Sequence, residues 1–501
     1  MHELTLADVV REHRRSRPET VALVDGDRRL TYPELDERTN RLAGALAAAG
    51  VGRGDRVLWL GVNSFRILEL LVAVGKLGAV LCPANWRQST DELRFVLDDL
   101  RPAVVVWESG PLEEALDPLR AGSDARWICH NGEGPEGYEE WIAGHPAVDP
   151  AVEVPDTDPV LLLYTAAFDG RPNGALLSHR ALVSHSLVLG ALRQPEEGFV
   201  FLDSGPLFHV GTMMFAAMTL VYGGTNVLLP TFDAELACTL IERERCQGAM
   251  LFPAMITQLV EANADRRFDL SSLRFGPFDE QWNSMITLDD SPWGRSFAGY
   301  GQTQVAGMLT FHGLGLGGLG TSGRPSLLAQ VRILDADGAE VPDGTVGEIV
   351  ARGPHVFSGY FRRPELTART LRDGWHHTGD LGRREKDGTL SFVGPKLRMI
   401  KSGGENVYPA EVERALQEHP AVTGAAVIGR PDETWGQHVV AIVTVSEPVA
   451  EAELIAHVRG LVASYKKPKA VVVVDEIPRR GFTPDYDLLD DAHGGGGYPG
   501  S

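Results

Sequence analysis

The chain opens on LTLADVVREHRRS, where apolar positions recur every three or four residues and predict an amphipathic surface helix. VALVDGDRRLTY follows as two short strands around a turn, and then a long Ala/Leu helix ends at Gly50. From Asp55 the pattern changes. RVLWLGV, AVLCPA and AVVVWES are apolar runs separated by helical patterns, one through about Val74 and one from Thr90. Strands apolar on both faces that alternate with helices imply parallel strands in a doubly wound sheet. The same rhythm recurs from Pro159 to about Phe278, with TNVLLP, a helix from Asp233 and GAMLFPA. Residues 325–393 break it, because turns at DADG, PDG and KDG separate short strands as in a small barrel. After residue 394 come a helix, AAVIGRPD, HVVAIVTV, a helix from Glu451 and AVVVVDEIP, which together make a compact α/β piece. The expected fold class is α/β, with a large N-terminal domain of doubly wound sheets plus a small barrel over 1–394. A small α/β C-terminal domain is expected over 395–490, and the low-complexity residues 491–501 are expected to be disordered.

Composition narrows the function classes. The 501 residues suffice for a sizeable core, and 47 Lys plus Arg against 68 Asp plus Glu give a formal charge of −21. Such an acidic chain repels nucleic acid and anionic membranes, and no basic cluster offsets this. No apolar run approaches the roughly 20 residues of a membrane span. The first residues lack a signal-peptide core. Four cysteines without metal-like spacing fit a reducing cytoplasm, the expected location.

The candidate chemistry sits in a few short motifs. GPKLRMIKSGGENVYPAEVE, from Gly394 to Glu413, reads as a turn, a short buried strand closed by Ser402-Gly403-Gly404, and a helix start at Tyr408-Pro409. Adjacent glycines leave backbone N–H groups bare for a ligand, although such a pair is more often only a turn. YTAAFDGRPNGALLSH, from Tyr164, follows a strand and precedes a helix, the setting of a phosphate-cradling loop. Phe168 is bulky there and Asp169 is an anion where anions would bind, so the residues themselves favour a turn that binds nothing. PLFHVG, GYGQT, GWHHTGDLG and SYKKPK complete the series.

These motifs, in this order, resemble the acyl- and aryl-CoA synthetase, adenylation-domain and luciferase superfamily of adenylate-forming enzymes, from Leu6 to Pro478. The resemblance implies that the small domain is mobile. It also implies that Ser402, Gly403, Gly404, Glu405 and Asn406 line the tunnel for the pantetheine arm of CoA. His209 would stand at the gate between this tunnel and an acyl pocket lined by Val210, Met213 and Met214, methionines that are equally good core fillers. Tyr300 would stack on adenine beside Gly276, Gly301 and Gln302. Thr165 and Thr303 would hold the adenylate, and Asp380 would accept the ribose hydroxyls, unless it is merely a helix cap. His209, Thr303 and Gly404 are the residues expected to serve the chemical step.

The departures from the pattern fall on one half of the reaction. Asn173 replaces the phosphate-loop lysine, and most of that loop's hydroxyls are gone. Gln304 replaces the glutamate that carries Mg²⁺, and a hard dication prefers carboxylate oxygen. Pro395 replaces an arginine and Leu397 a polar hinge residue. The ending IPRRGFTPDYDLLDDA has no lysine after Lys469, where the superfamily has the lysine that bridges the carboxylate and the α-phosphate. No metal site is expected, and Mg²⁺ and ATP are expected to go unused. The resulting expectation is a non-adenylating acyl-CoA ligase. It would take an acyl-adenylate (acyl-AMP) from a separate adenylating enzyme and give acyl-CoA and AMP. The pattern resembles ligases of the platensimycin/platencin type, which implies natural-product (diterpenoid) biosynthesis and a bulky, rigid, apolar acid. A complete ATP-dependent synthetase, an inactive ligand-binding relative and an amide-forming transferase stay open.

Overall fold

Thr5 starts the first helix, Leu6–Ser16, through a capping box with Asp8, and the apolar stripe of the helix is buried. The structure is a computed structural model. It describes every residue except 1–3, 89, 111, 166–171, 292–293, 295–298, 399, 403–404, 408, 434, 463–465, 481–482, 497 and 499–501, and it omits the side chains of 91, 395, 397, 405, 406 and 411. The chain forms two compact units that interleave in sequence. The first comprises 1–316, 324–330 and 352–371, and the second 317–323, 331–351 and 372–501.

The first unit holds two sheets of the expected kind. The larger runs Gly359–Tyr360, Gly174–Ser178, Pro159–Tyr164, Val80–Pro83, Arg56–Leu60, Val104–Trp107 and Arg126–Cys129. Its strands are parallel from Pro159–Tyr164 onward and antiparallel at the other end. The smaller runs Gly248–Ala249, Val200–Asp203, Thr225–Leu228, Val21–Asp25 and Arg28–Thr31. Val57, Trp59, Leu161 and Leu163 lie in one core with the helices Tyr32–Ala48 and Phe65–Leu77.

The second unit begins where the periodicity changed. Gln330–Leu334, Gly347–Arg352, Trp375–Arg384 and Leu390–Pro395 belong to one five-stranded sheet. Most of these residues fall in the same compact unit as the C-terminal piece. Beyond them the long hairpin Val422–Asp432/Gly436–Val445 pairs with Ala470–Val473 and, at Ser402↔Gly436, with Ile400–Ser402. Among the described residues no helix is long and apolar enough to cross a membrane.

Described residues of the tail make contacts with the small core. Asp485 caps the helix Tyr486–His493, and the Gly496 N–H donates to Gly429 O. Tyr498 is 8% exposed; its hydroxyl donates to Asp490 and accepts from the Gly429 N–H. One aromatic ring joins the small core and its hydroxyl closes two hydrogen bonds, which is enough to anchor a glycine-rich segment. Arg398 reaches both Asp487 and Asp490 and lies over the Tyr486 ring.

Beneath that helix Glu413 accepts from the Tyr486 hydroxyl at 2.7 Å and the Val427 N–H at 2.8 Å. Burial pushes its carboxyl up to about 7 from 4.5. A raised carboxyl pKa favours folding below about pH 4.5, and that contribution is lost as pH rises through 7. Glu413→Gln removes the titration. Its stability relative to the parent should be near zero at pH 5 and favourable by roughly 2–3 kcal/mol at pH 8, from about 1.4 kcal/mol per pKa unit. Urea unfolding at the two pH values checks this, and a difference independent of pH contradicts it.

Candidate active site

The segment carrying Tyr300 to Gln304 is a tight hairpin, with Gly301 opposite Met308 and Gln302 opposite Gly307. A Cβ on Gly301 would lie 2.1 Å from Gly307 O, so only glycine fits. Thr303–Val305 forms a single 3-10 turn, and Ala306 and Gly307 then take positive φ values of 56° and 137°. Left-handed backbone at a non-glycine residue costs energy and marks a turn held by its surroundings. Tyr300 is 7% exposed, its N–H donates to Thr310 Oγ1, and its carbonyl accepts from Leu309 and Thr310. Thr303 is half-buried.

Gln304 is engaged by the protein. Its side-chain Nε2 donates to the Tyr360 hydroxyl at 2.8 Å, and its backbone carbonyl accepts from the Phe357 N–H at 2.8 Å. A neutral amide held this way is a poor ligand for a hard dication. No group of three or more His, Cys, Asp or Glu that could hold a metal occurs among the described residues.

The loop after Tyr164 has a different setting from the one expected. Pro159–Tyr164 returns as the antiparallel strand Gly174–Ser178, and only then does the helix His179–Arg193 begin. Ser178 caps that helix by accepting from Ala181 N–H. The loop therefore joins two strands, and its sequence neighbour is not a helix N-terminus. Thr165 closes its mouth, donating through both N–H and Oγ1 to Asn173 O at 2.9 and 3.2 Å. Ala166, Ala167, Phe168, Asp169 and Gly170 lie outside the described residues.

His209 is the N-cap of the helix Val210–Tyr222, and its Nδ1 accepts from Gly211 N–H at 3.1 Å. The neutral ring therefore carries its proton on Nε2. The residue is solvent-exposed, yet its partly desolvated ring sits below the usual imidazole range. Val210 and Met213 pack in the main core, and Met214 joins an adjoining cluster with Phe201, Phe215 and Phe311. Gly276 meets the protein's own backbone, since a Cβ there would lie 2.1 Å from Gly294 O.

In the second unit Asp380 lies inside the strand Trp375–Arg384 opposite Pro395, so it is not a helix cap. Its N–H donates to Thr378 Oγ1. Beside it Glu348 accepts from the Gly379 N–H and from Lys396 at 3.0 Å, and it stands 3.3 Å from His377. Burial opposes the charge on Glu348, but Lys396 and His377 outweigh it and hold the carboxyl below its usual range. Ser402 ends the strand Ile400–Ser402, which pairs with Glu405–Val407. Gly403, Gly404 and the side chains of Glu405 and Asn406, expected at the CoA tunnel, lie outside the described residues.

Residues 10–361 match the AMP-binding enzyme family, and residues 411–481 match the AMP-binding enzyme C-terminal domain. The chain belongs to the AMP-binding enzyme family. It is thus a member of the adenylate-forming superfamily and an acyl-CoA ligase of that group. A feruloyl-CoA synthase from Amycolatopsis sp is 38% identical over 481 residues, which cover 93% of this chain and 94% of that protein. An indoleacetate–CoA ligase from Aromatoleum aromaticum is 34% identical over 491 residues, 95% of each chain. Among solved structures, ATP-bound MatB from Rhodopseudomonas palustris superposes with a TM-score of 0.83 at 27% identity, covering 98% of this chain and 99% of that one.

Two features of this adenylate-forming ligase were missed in the sequence. A cavity of about 420 Å³ opens at the end of the helix His179–Arg193, bounded by Arg193, Phe199, Asp289, Phe311 and Leu314. Its walls share Phe199, Phe311 and Leu314 with the cluster that holds Met214, Met218, Met250 and Met308. His185 is buried against the same cluster, stacked on Phe311, and His355 is stacked on His185. Single histidines in a helix and in a loop carry no sequence signal, because the two are 170 residues apart.

Proposed function

We propose that this ligase works chiefly in the second half-reaction, taking an acyl-adenylate made by a separate enzyme and CoA to acyl-CoA and AMP. The observation that carries the reading is the joint replacement of the groups that serve adenylation. Gln304 stands for the metal carboxylate and is held by Tyr360. After Lys469 the chain has no lysine and two arginines, Arg479 and Arg480, of which Arg480 is bound to Asp485 at 2.6 Å and lies 3.4 Å from Asp487. In thioester formation the CoA sulfur attacks the acyl carbon, the carbon–oxygen bond to phosphate breaks, and AMP leaves with the electron pair while the thiol proton passes to water. The anhydride is already activated, so the protein need only align the reactants and stabilise developing charge.

On this reading Tyr300 and Gly276 hold the adenine, Thr303 and Thr165 the phosphate, and Asp380 the ribose. His209 stands at the gate between the acyl group and CoA. Val210, Met213 and Met214 bound the acyl group, and Ser402 to Asn406 guide CoA. The acid is a bulky one from natural-product biosynthesis, and a reducing cytoplasm fits the cysteines, which are free. A complete ATP-dependent synthetase is the second reading, favoured by the relatives' names and by the ATP bound in MatB. The test is thioester formation from synthetic acyl-adenylates and CoA without ATP, followed by mass spectrometry. Failure with every acyl-adenylate overturns the proposal.

A further inference from the structure

His185 and His355 flank the hairpin that carries Thr303 and Gln304. His185 lies on the helix His179–Arg193 and is 2% exposed; His355, just before Gly359–Tyr360, is 1% exposed. Their rings stack with centroids 6.1 Å apart and planes at 29°, and His185 also stacks on Phe311 at 6.4 Å. The Met308 N–H donates to His185 Nε2 at 3.3 Å, which places the proton of the neutral ring on Nδ1. That Nδ1 and both ring nitrogens of His355 are buried without a hydrogen-bond partner among the described residues. Burial drives His185 down to about 3 and His355 to about 4, so neither ring is charged near neutral pH.

An unmet buried polar group costs about 1–3 kcal/mol, and most buried nitrogens in proteins are satisfied. Packing alone would be served as well by phenylalanine or leucine. Three unmet nitrogens in one ring pair therefore point to a partner outside the chain. The pair adjoins the residue expected to line the acyl pocket. A Cβ on Gly307 would lie 2.5 Å from both His185 Nε2 and Met214 Sδ. The surroundings are apolar: Met214, Met218, Phe215 and Phe311 with Met250 and Met308 beside them. The unmet set comprises one donor on His185 and one donor with one acceptor on His355. A hydroxyl both donates and accepts, so it matches this set. A second carboxylate does not, because neutral imidazoles leave a buried charge uncompensated.

We propose that His185 and His355 form a polar subsite of the acyl pocket and select an acid whose apolar body carries a hydroxyl remote from the carboxyl group. The proposal rests on the ligase reading and names its substrate class. Sites that hydrogen-bond a substrate hydroxyl discriminate strongly against the analogue without it, whereas apolar pockets tolerate either.

The test compares kcat/KM for thioester formation from pairs of synthetic acyl-adenylates with CoA: 4-hydroxycinnamoyl against cinnamoyl, and a hydroxydecalin carboxyl against its unsubstituted parent. The wild type should favour the hydroxylated member of at least one pair by about tenfold or more, the equivalent of one hydrogen bond to a buried group. His355→Phe should bring that ratio to within about threefold of unity, and His355→Gln, which keeps a donor and an acceptor, should preserve it. Ratios within about threefold of unity for both pairs in the wild type, or a ratio unmoved by His355→Phe, overturn the subsite. Should His355→Phe fail to fold, ¹⁵N spectra of histidine-labelled wild type decide. A non-hydrolysable hydroxylated adenylate should shift the two buried imidazole signals and its parent should not. Equal response to both means that a buried water satisfies the pair and overturns the proposal. Absence of thioester from all four adenylates counts against the ligase reading, whereas thioester without discrimination counts against the subsite alone.

Discussion

Purified protein given a carboxylic acid, ATP, Mg²⁺ and CoA is expected to release pyrophosphate at least about 10⁴-fold more slowly than it converts the matching acyl-adenylate and CoA to thioester. One preorganised electrostatic contact in a transition state is typically worth about 10²- to 10³-fold in rate. Two are missing at once. The metal carboxylate is Gln304, whose amide is bound to Tyr360. The terminal cation has no lysine to supply it, and Arg480 is drawn into the cap of the helix Tyr486–His493 by Asp485. Thioester formation needs neither contact, since its leaving group is already AMP. Continuous pyrophosphate detection over a panel of aromatic, fatty and polycyclic acids checks the ratio. Turnover near 1 per second, within the ordinary enzyme range, would show that the chain has kept both half-reactions.

Parallel strands were legible because a buried strand needs apolar residues on both faces and a helix must follow it. Val57–Leu60, Val80–Pro83 and Val104–Trp107 obey that rule. The turn-rich segment was legible as a change of architecture, because turns at DADG, PDG and KDG cut the chain into short strands. In the described part of the tail, composition is a weak guide. Composition sees four glycines, while order comes from Tyr498 meeting Gly429 and Asp490. At the site, Gly301 and Gln304 could be read from the motif, and the crowding at Gly301 and the Tyr360 contact give them physical reasons. The loop's sequence neighbour was misjudged, since the strand Gly174–Ser178 returns before the helix begins. The His185–His355 pair was invisible because only folding brings those rings together.

On the proposed reading, the last expectation concerns whether adenylation was lost at a few points or throughout. Gln304→Glu is the smallest repair on the metal side and should fold, because a carboxylate at that place can accept from the Tyr360 hydroxyl 2.8 Å away. On the cation side Phe482→Pro, Thr483→Ser, Pro484→Gly and Asp485→Lys install the superfamily ending. They also remove the cap at Asp485 and its bridge to Arg480, at a cost of about 1–2 kcal/mol to the terminal helix. The combined repair should still give no measurable acyl-AMP. Phe168 and Asp169 remain in the loop, and two like charges about 4 Å apart cost roughly 4 kcal/mol at an effective dielectric near 20. That is close to a thousandfold in pyrophosphate-site occupancy. Adding Ala166→Ser, Ala167→Gly, Phe168→Thr, Asp169→Thr and Asn173→Lys should be required before ATP is used. The assay is acyl-AMP detected by mass spectrometry, with the acid recovered from the thioester the parent protein makes. Acyl-AMP from the combined repair with the native loop in place would show that the loop is not the barrier and that the loss lies in the metal and lysine contacts alone.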